Sequence, residues 1–458
     1  MKHSRAEVHC KTRKLPTLHF EDHALTSFSG LVVFQGLFIR LGLKERLGRC
    51  FSHLAGGSIF GYHVIVLTLV VHLLLGYRRL RECESYEDDP MVKRLLGLSR
   101  LPDVATLSRA LAQADQRSVE KFRALVWEVV VERLRQLNLA RLTLDFDGSV
   151  QSTTRWAEGT AVGFNKKKKG ARSYYPLFCT VAQTGQVLDL LHRPGNVHDS
   201  NGAQTFVLQC IGRLREALPG VSLEVRMDSA FFSWEMAEAM RTRRVEFTVS
   251  VPFERFSELK AMIEGRLRWR RFNEQWSFFE TPWKPKSWNR RYRFVFLRQK
   301  VNQQQKQPVQ LDLFIPHEWG YDFTVILTNK RARMKKIVAF HHGRGAQENL
   351  FGELKSQCQM DYVPVRTLAG NQTYLLCAIV AHNLARELQM LAEPPQRHTT
   401  EKRAPLWIFQ ELNTLRRHFI QRAGRFSWPQ GRLTLTLGLN DTVRATLLHY
   451  LGALGYAA

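Results

Sequence analysis

The chain has 458 residues, 44% of them hydrophobic, so global disorder and collagen-like repetition are excluded and a large core needs no disulfide staples. Lys and Arg number 67 against 41 Asp and Glu, a formal net charge of +26. That imbalance says nothing about fold, but it points to a polyanionic partner.

In chain order, the basic stretch 1–14 has no apolar run behind it, so it does not read as a secretory signal. Apolar residues recur at helical spacing over 31–43, 64–75 and 124–137, which predicts a helical N-terminal domain over 1–135. The most apolar run, 64–75, is shorter than the roughly 20 residues of a bilayer span. It reads as a buried helix, and no membrane partner is expected. Over 101–111, Pro102 breaks the chain and Asp103 caps a short helix carrying Thr106, Ser108 and Arg109. That helix either rests on DNA phosphates, as in an end-binding domain, or joins a bundle with its polar residues in water. The seven cysteines are scattered and form no CxxC pair, so neither a disulfide framework nor a zinc knuckle is signalled. A reducing cytoplasm is the simpler reading.

The texture changes at Arg141. Residues 142–148 alternate and end in turn residues, as a strand does. Two more strands, 175–182 and 187–191, flank a hairpin loop at 183–186. A helix over 201–218, a strand over 221–227, a helix over 233–241 and a strand over 245–251 complete a βββαβαβ pattern. Residues 252–320 break the rhythm with Trp269, Trp276, Trp283, Trp288 and Trp319, and 251–310 hold 14 Lys and Arg against 5 Glu. Alternation at 292–297 and 309–314, with a tip at 303–307, predicts a small inserted β subdomain. Its tryptophans either pack that subdomain or, at Trp283 and Trp288, stack on a flipped or unpaired base. The α/β pattern resumes with a strand at 323–327, a helical region through 357 and an apolar core helix over 373–391. A Pro- and charge-rich linker at 392–404 leads into a basic tail that reads as a helix with a short hairpin. The expected organisation is a helical domain (1–135), an α/β core (136–251 and 321–395), the insertion (252–320) and a C-terminal tail (396–458).

Three carboxylates stand out by placement. Asp147 and Asp228 each close a strand, and Glu348 lies in the long basic region after residue 327. Hard oxygen ligands of this kind suit two Mg²⁺ ions, with Mn²⁺ able to substitute. Two such ions can stabilise both the attacking and the leaving oxygen of a phosphodiester displacement. Asp145 is the second choice for the first acid, read as pointing away from Asp147. His341, Arg344, Glu348 and Lys355 sit at offsets 0, 3, 7 and 14, within roughly 60° of one another on a single helix. Such a stripe presents an acid flanked by phosphate-gripping cations; the alternative is a salt-bridged surface face. The run Lys166, Lys167, Lys168 and Lys169 reads as a DNA-backbone contact, and His198 and Asp199 as caps of the next helix.

The pattern His341-x2-Arg344-x3-Glu348-x6-Lys355 resembles the Tyr-x2-Arg-x3-Glu-x6-Lys signature of bacterial insertion-sequence DDE transposases, with His341 in place of Tyr. Leu144-Asp-Phe-Asp147-Gly-Ser resembles their first-Asp motif and Met227-Asp228-Ser-Ala-Phe-Phe232 their second. Residues 166–177 and 193–199 look like segments of the ISEcp-like branch, and the resemblance covers about 95–395. It implies a ribonuclease-H-like core with a β-strand insertion between the second Asp and the Glu. It further implies a metal triad of Asp147, Asp228 and Glu348, with Arg344, Lys355 and His341 on transposon-end DNA near the cut phosphate. The implied activity is metal-dependent cleavage and strand transfer, by a homodimer on paired ends, in the bacterial cytoplasm at the nucleoid. A freed 3′-OH would attack the opposite strand, making a hairpin, or target DNA. The rivals are a metal-dependent nuclease without strand transfer and a non-catalytic DNA-binding repressor.

Overall fold

The computed structural model describes residues 15, 17–54, 59–163, 165, 168–197, 202–300 and 320–456. Cys10, Lys166, Lys167, His198, Asp199 and Trp319 lie outside them, as do the expected tip at 303–307 and strand at 309–314. Among the described residues the centre is a nine-stranded mixed sheet. Its strands are β1 (Arg141–Gly148), β2 (Leu177–Val181), β3 (Gln186–Leu191), β4 (Ser222–Met227), β5 (Glu246–Val251), β6 (Arg270–Arg271), β7 (Trp276–Trp283), β8 (Tyr292–Lys300) and β9 (Tyr321–Thr328). The order across the sheet is β6-β7-β8-β9-β5-β4-β1-β2-β3. β1, β4 and β5 run parallel to one another, and the remaining pairs are antiparallel. The helices that matter here are α1 (Tyr62–Leu75), α2 (Gln116–Leu137), α3 (Ala203–Ala217), α4 (Trp234–Thr242), α5 (Met334–His342), α6 (Gly345–Gln357) and α7 (Leu368–Ala392).

The three parallel strands show why the sheet has two unlike faces. Successive side chains on a strand point to opposite sides. Leu142, Leu144 and Phe146, Leu223, Val225 and Met227, and Phe247, Val249 and Val251 share one core with the apolar stripes of α3 and α4. The alternate positions are Thr143, Asp145 and Asp147 on β1, Glu224 and Arg226 on β4, and Thr248 and Ser250 on β5. This polar face is covered by α5 and α6, and its buried charges are paired. Glu224, fully buried, takes bonds from Arg141 Nη1 (2.8 Å), Lys330 Nζ (2.8 Å), Arg403 Nε (3.0 Å) and Thr143 Oγ1 (3.0 Å). Burial pushes its pKa up, but bonds from Arg403 and Lys330 override that and hold it down to about 2.

Among the described residues the insertion joins the main sheet rather than standing apart from it. β7 and β8 continue the main sheet outward from β9, and Phe294 and Phe296 are buried in the core shared with α3 and α4. Trp283 and Trp288 belong to that same core.

The ends of the chain also depart from expectation. The helical domain is not confined to 1–135: its core includes α7 and residues 412–454. α1 is apolar on all sides and buried, as such helices must be. Each fully buried Leu or Val there contributes about 1.5–3 kcal/mol. The basic tail carries the expected helix, Asp441–Ala453, and a hairpin of Gly424–Ser427 with Thr434–Leu437, and it packs into the helical core. Arg416 plugs the end of α1, donating from Nε to the Leu74 carbonyl (2.7 Å) and from Nη2 to the Leu73 carbonyl (2.6 Å). These carbonyls lie in the last turn, where the helix ladder leaves carbonyls short of partners; the Leu73 carbonyl also accepts from the Gly76 amide (3.1 Å). Strand Gly424–Ser427 pairs antiparallel with Leu25–Thr26 near the other end of the chain. The expected linker is a fixed strap: the Leu406 amide donates to the Gln183 carbonyl (2.8 Å), and Trp407 is buried. The reading of 101–111 holds locally, since Asp103 caps helix Val104–Ala112 through the Thr106 amide (2.6 Å). Among the described residues no single helix is long and apolar enough to cross a membrane.

Candidate active site

Asp147 and Asp228 meet because β1 and β4 are parallel neighbours in register. Phe146 pairs with Met227, and one step further along both strands stand the two aspartates. Asp147 accepts from the Gly148 amide (2.8 Å), and Asp228 accepts from the Ala230 amide (3.0 Å). A Cβ at Gly148 would lie 2.5 Å from the Tyr175 ring, so that ring would have to move to admit a larger residue. Burial raises the pKa of Asp147 to about 7, helped by the charge of Asp228 and opposed by Arg344.

The helix run that carries Glu348 is broken at Gly343, where three-residue hydrogen bonds replace the four-residue ladder between α5 and α6. Arg344 sits at the break. Its Nη1 donates to Asp147 Oδ2 (2.9 Å) and its Nη2 to Glu348 Oε1 (3.3 Å). Asp147, Asp228, Arg344, Glu348 and Lys355 thus line one cavity of about 1470 Å³. Lys168 and Tyr175 border it on one side, and Phe232, Trp234 and Trp288 on another.

The single stripe expected over His341–Lys355 is therefore corrected at its first member. His341 points into the sheet, with Nδ1 3.0 Å from Thr248 Oγ1 and Nε2 2.9 Å from Ser250 Oγ. Burial lowers its pKa to about 3, so it is neutral, and both ring nitrogens are engaged by protein. It is not among the residues that line the cavity. Trp283 is likewise in the core, 8% exposed, with its ring against Phe256 and Phe294. It offers no face to a base. Trp288 is 5% exposed but edges the cavity, stacked on Phe232 at 5.1 Å. Lys169 is exposed outside the cavity lining. Phe232 and Trp234 were not singled out from sequence; the aromatic run so soon after Asp228 is the signal that could have found them. Asp145 does not point away from Asp147: positions i and i+2 share a face. It is buried against Arg226, which rules it out as an open ligand.

The donor set fits a divalent cation. Asp147 and Asp228 are hard oxygen donors close enough for one charge to raise the pKa of the other, a repulsion that a cation relieves. Glu348 reaches the pair through Arg344, with its side chain 63% exposed. Among the described residues no three His, Cys, Asp or Glu side chains close into a metal-holding group as they stand.

A pH test follows from the folded pKa of about 7 for Asp147, against about 3.9 for an unperturbed Asp. The neutral carboxyl is the form the fold prefers. Its contribution is complete below the unfolded value and is lost as pH rises through the folded one. Without divalent metal, wild type should lose stability relative to Asp147→Asn between pH 5 and pH 8. The same stability difference between the two proteins at both pH values in urea unfolding would contradict the raised carboxyl.

Comparison with known proteins adds the family. No curated protein shows significant similarity to the chain. Among solved structures, a match is the cryo-EM structure of a piggyBac transposase synaptic complex with hairpin DNA, at 12% identity and a TM-score of 0.41. It covers 85% of this chain and 79% of that one. The family described as Transposase DDE domain group 1 matches residues 9–454. The match spans nearly the whole chain, and the protein belongs to that family of DDE transposases.

Proposed function

We propose that the chain binds the ends of its own element and catalyses metal-dependent cleavage and strand transfer, with Asp147, Asp228 and Glu348 as the catalytic acids. The observation that carries this is the convergence of two strand-end aspartates and the Arg344–Glu348 pair on one cavity in a +26 chain. The core is read as ribonuclease-H-like; three antiparallel strands followed by two parallel ones, in the order β3-β2-β1-β4-β5, support that reading. The Arg344, Glu348 and Lys355 spacing supports the Tyr-Arg-Glu-Lys group, with a buried His at the Tyr position.

Divalent ions, when bound by Asp147, Asp228 and Glu348, would activate water and neutralise phosphate charge. The chain's own residues do the rest. Arg344 can exchange its carboxylate partners for a phosphate, which its planar fork grips at two oxygens. Lys355 and Lys168 line the same cavity and supply point charges along the backbone. Phe232, Trp234 and Trp288 form a wall beside the acids on which an unpaired base could rest. In the first step water attacks the end phosphodiester, the P–O3′ bond breaks, and a 3′-OH and a 5′-phosphate result. In the second that 3′-OH attacks another phosphodiester, so one P–O bond forms as another breaks.

The test is purified protein with labelled element-end duplex and Mg²⁺. Nicked and joined products are expected; nicking without joining would leave a nuclease, and binding without nicking a repressor. Binding should also be dominated by phosphate neutralisation. Log affinity should fall against log salt by about 0.9 per contacted phosphate, with roughly 6–10 contacts. A flat response would remove the DNA-backbone reading.

A further inference from the structure

Directly beneath the Asp147 and Asp228 positions, the register pairs Asp145 with Arg226. Both are buried, Arg226 fully and Asp145 to 2% exposure. Two guanidinium nitrogens, Nε and Nη2, bind the Asp145 carboxylate. The third, Nη1, donates to the Lys402 carbonyl of the strap (2.8 Å) and to the Phe340 carbonyl at the end of α5 (3.1 Å). Gly343 packs on the same group: a Cβ there would lie 2.0 Å from Arg226 Nη1 and 1.9 Å from the Lys402 oxygen. On the far side of the break, Gln347 Nε2 donates to the Asp145 carbonyl (3.0 Å). The break between α5 and α6 is thus held at 340, 343 and 347. The residues beside these anchors, Arg344 and Glu348, are the ones that reach the acids.

We propose that Arg226 is a positioning residue for DNA cleavage, seating the α5–α6 break together with Asp145 and the Lys402 carbonyl so that Arg344 and Glu348 face Asp147 and Asp228. The proposal rests on the transposase reading of that site. A guanidinium is the side chain suited to it, since it meets a carboxylate with one edge and two carbonyls with another. The strap thereby belongs to the catalytic frame although it contributes no side chain to the acids.

Removing Arg226 alone would strand a buried carboxylate, so the pair is replaced together as Asp145→Leu/Arg226→Met. Gly343→Ala is the second variant, which keeps every charge and forces the Arg226 guanidinium and the Lys402 carbonyl apart from the break. Each is measured for thermal unfolding, for affinity toward end duplex, for single-turnover cleavage over a range of Mg²⁺, and for amide exchange over 340–348. The variants that fold should bind ends within about threefold of wild type yet cleave about 10²-fold more slowly, the scale of a small misplacement of reacting groups. Exchange should rise over 340–348 and stay unchanged in α7. A folded variant that cleaves at the wild-type rate, or keeps wild-type exchange over 340–348, overturns the proposal. Asp147→Asn separates the two levels. If it cuts as wild type does, the reading of the acids falls and the proposal with it. If it is inactive while the double variant cuts normally, the positioning role alone falls.

Discussion

Replacing Asp147 or Asp228 with Asn, or Glu348 with Gln, should abolish Mg²⁺-dependent cleavage of end DNA while end binding stays near wild type. An amide keeps the shape and removes the charge that a cation needs. Metal-assisted phosphodiester cleavage draws several kcal/mol of transition-state stabilisation from that charge, on the order of 10³-fold in rate. The loss should be larger at the aspartates than at Glu348. The aspartates stand side by side on paired strands, whereas Glu348 is tethered through Arg344 from the cavity rim. Single-turnover cleavage with binding measured on the same protein decides it. A Glu348→Gln protein that cuts normally would remove Glu348 from the triad.

Asp145→Asn should behave in the opposite way, damaging the fold first. Sequence alone left Asp145 as a second candidate acid, which predicts a mild effect of its own on cleavage. In the structure its carboxylate is the counter-charge of a fully buried guanidinium. Breaking such a pair from one side costs about 3–5 kcal/mol, because the remaining charge stays buried without compensation. The variant should unfold at a clearly lower urea concentration, whatever the DNA and metal present. Unfolding at the wild-type concentration would mean that the pair contributes little to stability.

The parts of this arrangement that local pattern controls were legible. Strict alternation in 142–148, 222–228 and 246–251 marks strands with one apolar and one polar face, and it puts Asp147 and Asp228 at strand ends. The hairpin between β2 and β3 and the buried helix α1 follow from turn residues and from all-round apolarity in the same way. What failed depends on contacts far apart in sequence. Nothing local says that β7 and β8 extend the main sheet, since their partner β9 lies beyond an intervening segment. The His341 error came from treating two helices as one. The reason for Gly343 at the break, a guanidinium packed where a side chain would be, comes from β4 and is not written locally. The strap read as a linker because its composition is polar. Its Arg403 has a partner, Glu224, that was itself a warning, because a charge in the middle of an apolar strand demands a counter-charge from somewhere.

The pairing of Leu25–Thr26 with Gly424–Ser427 has a consequence for synthesis. Of these two strands, the one made earlier waits for a partner far along the chain. A nascent chain that has emerged as far as residue 400 already carries Asp147, Asp228 and Glu348. It lacks the Lys402 carbonyl for Arg226, Arg403 for Glu224, and Arg416 to close α1. Closure over so long a separation is slow relative to local helix formation. A chain translated only that far therefore holds Asp147, Asp228 and Glu348 before the backbone carbonyl that seats Arg226, and with it the α5–α6 break, has been made.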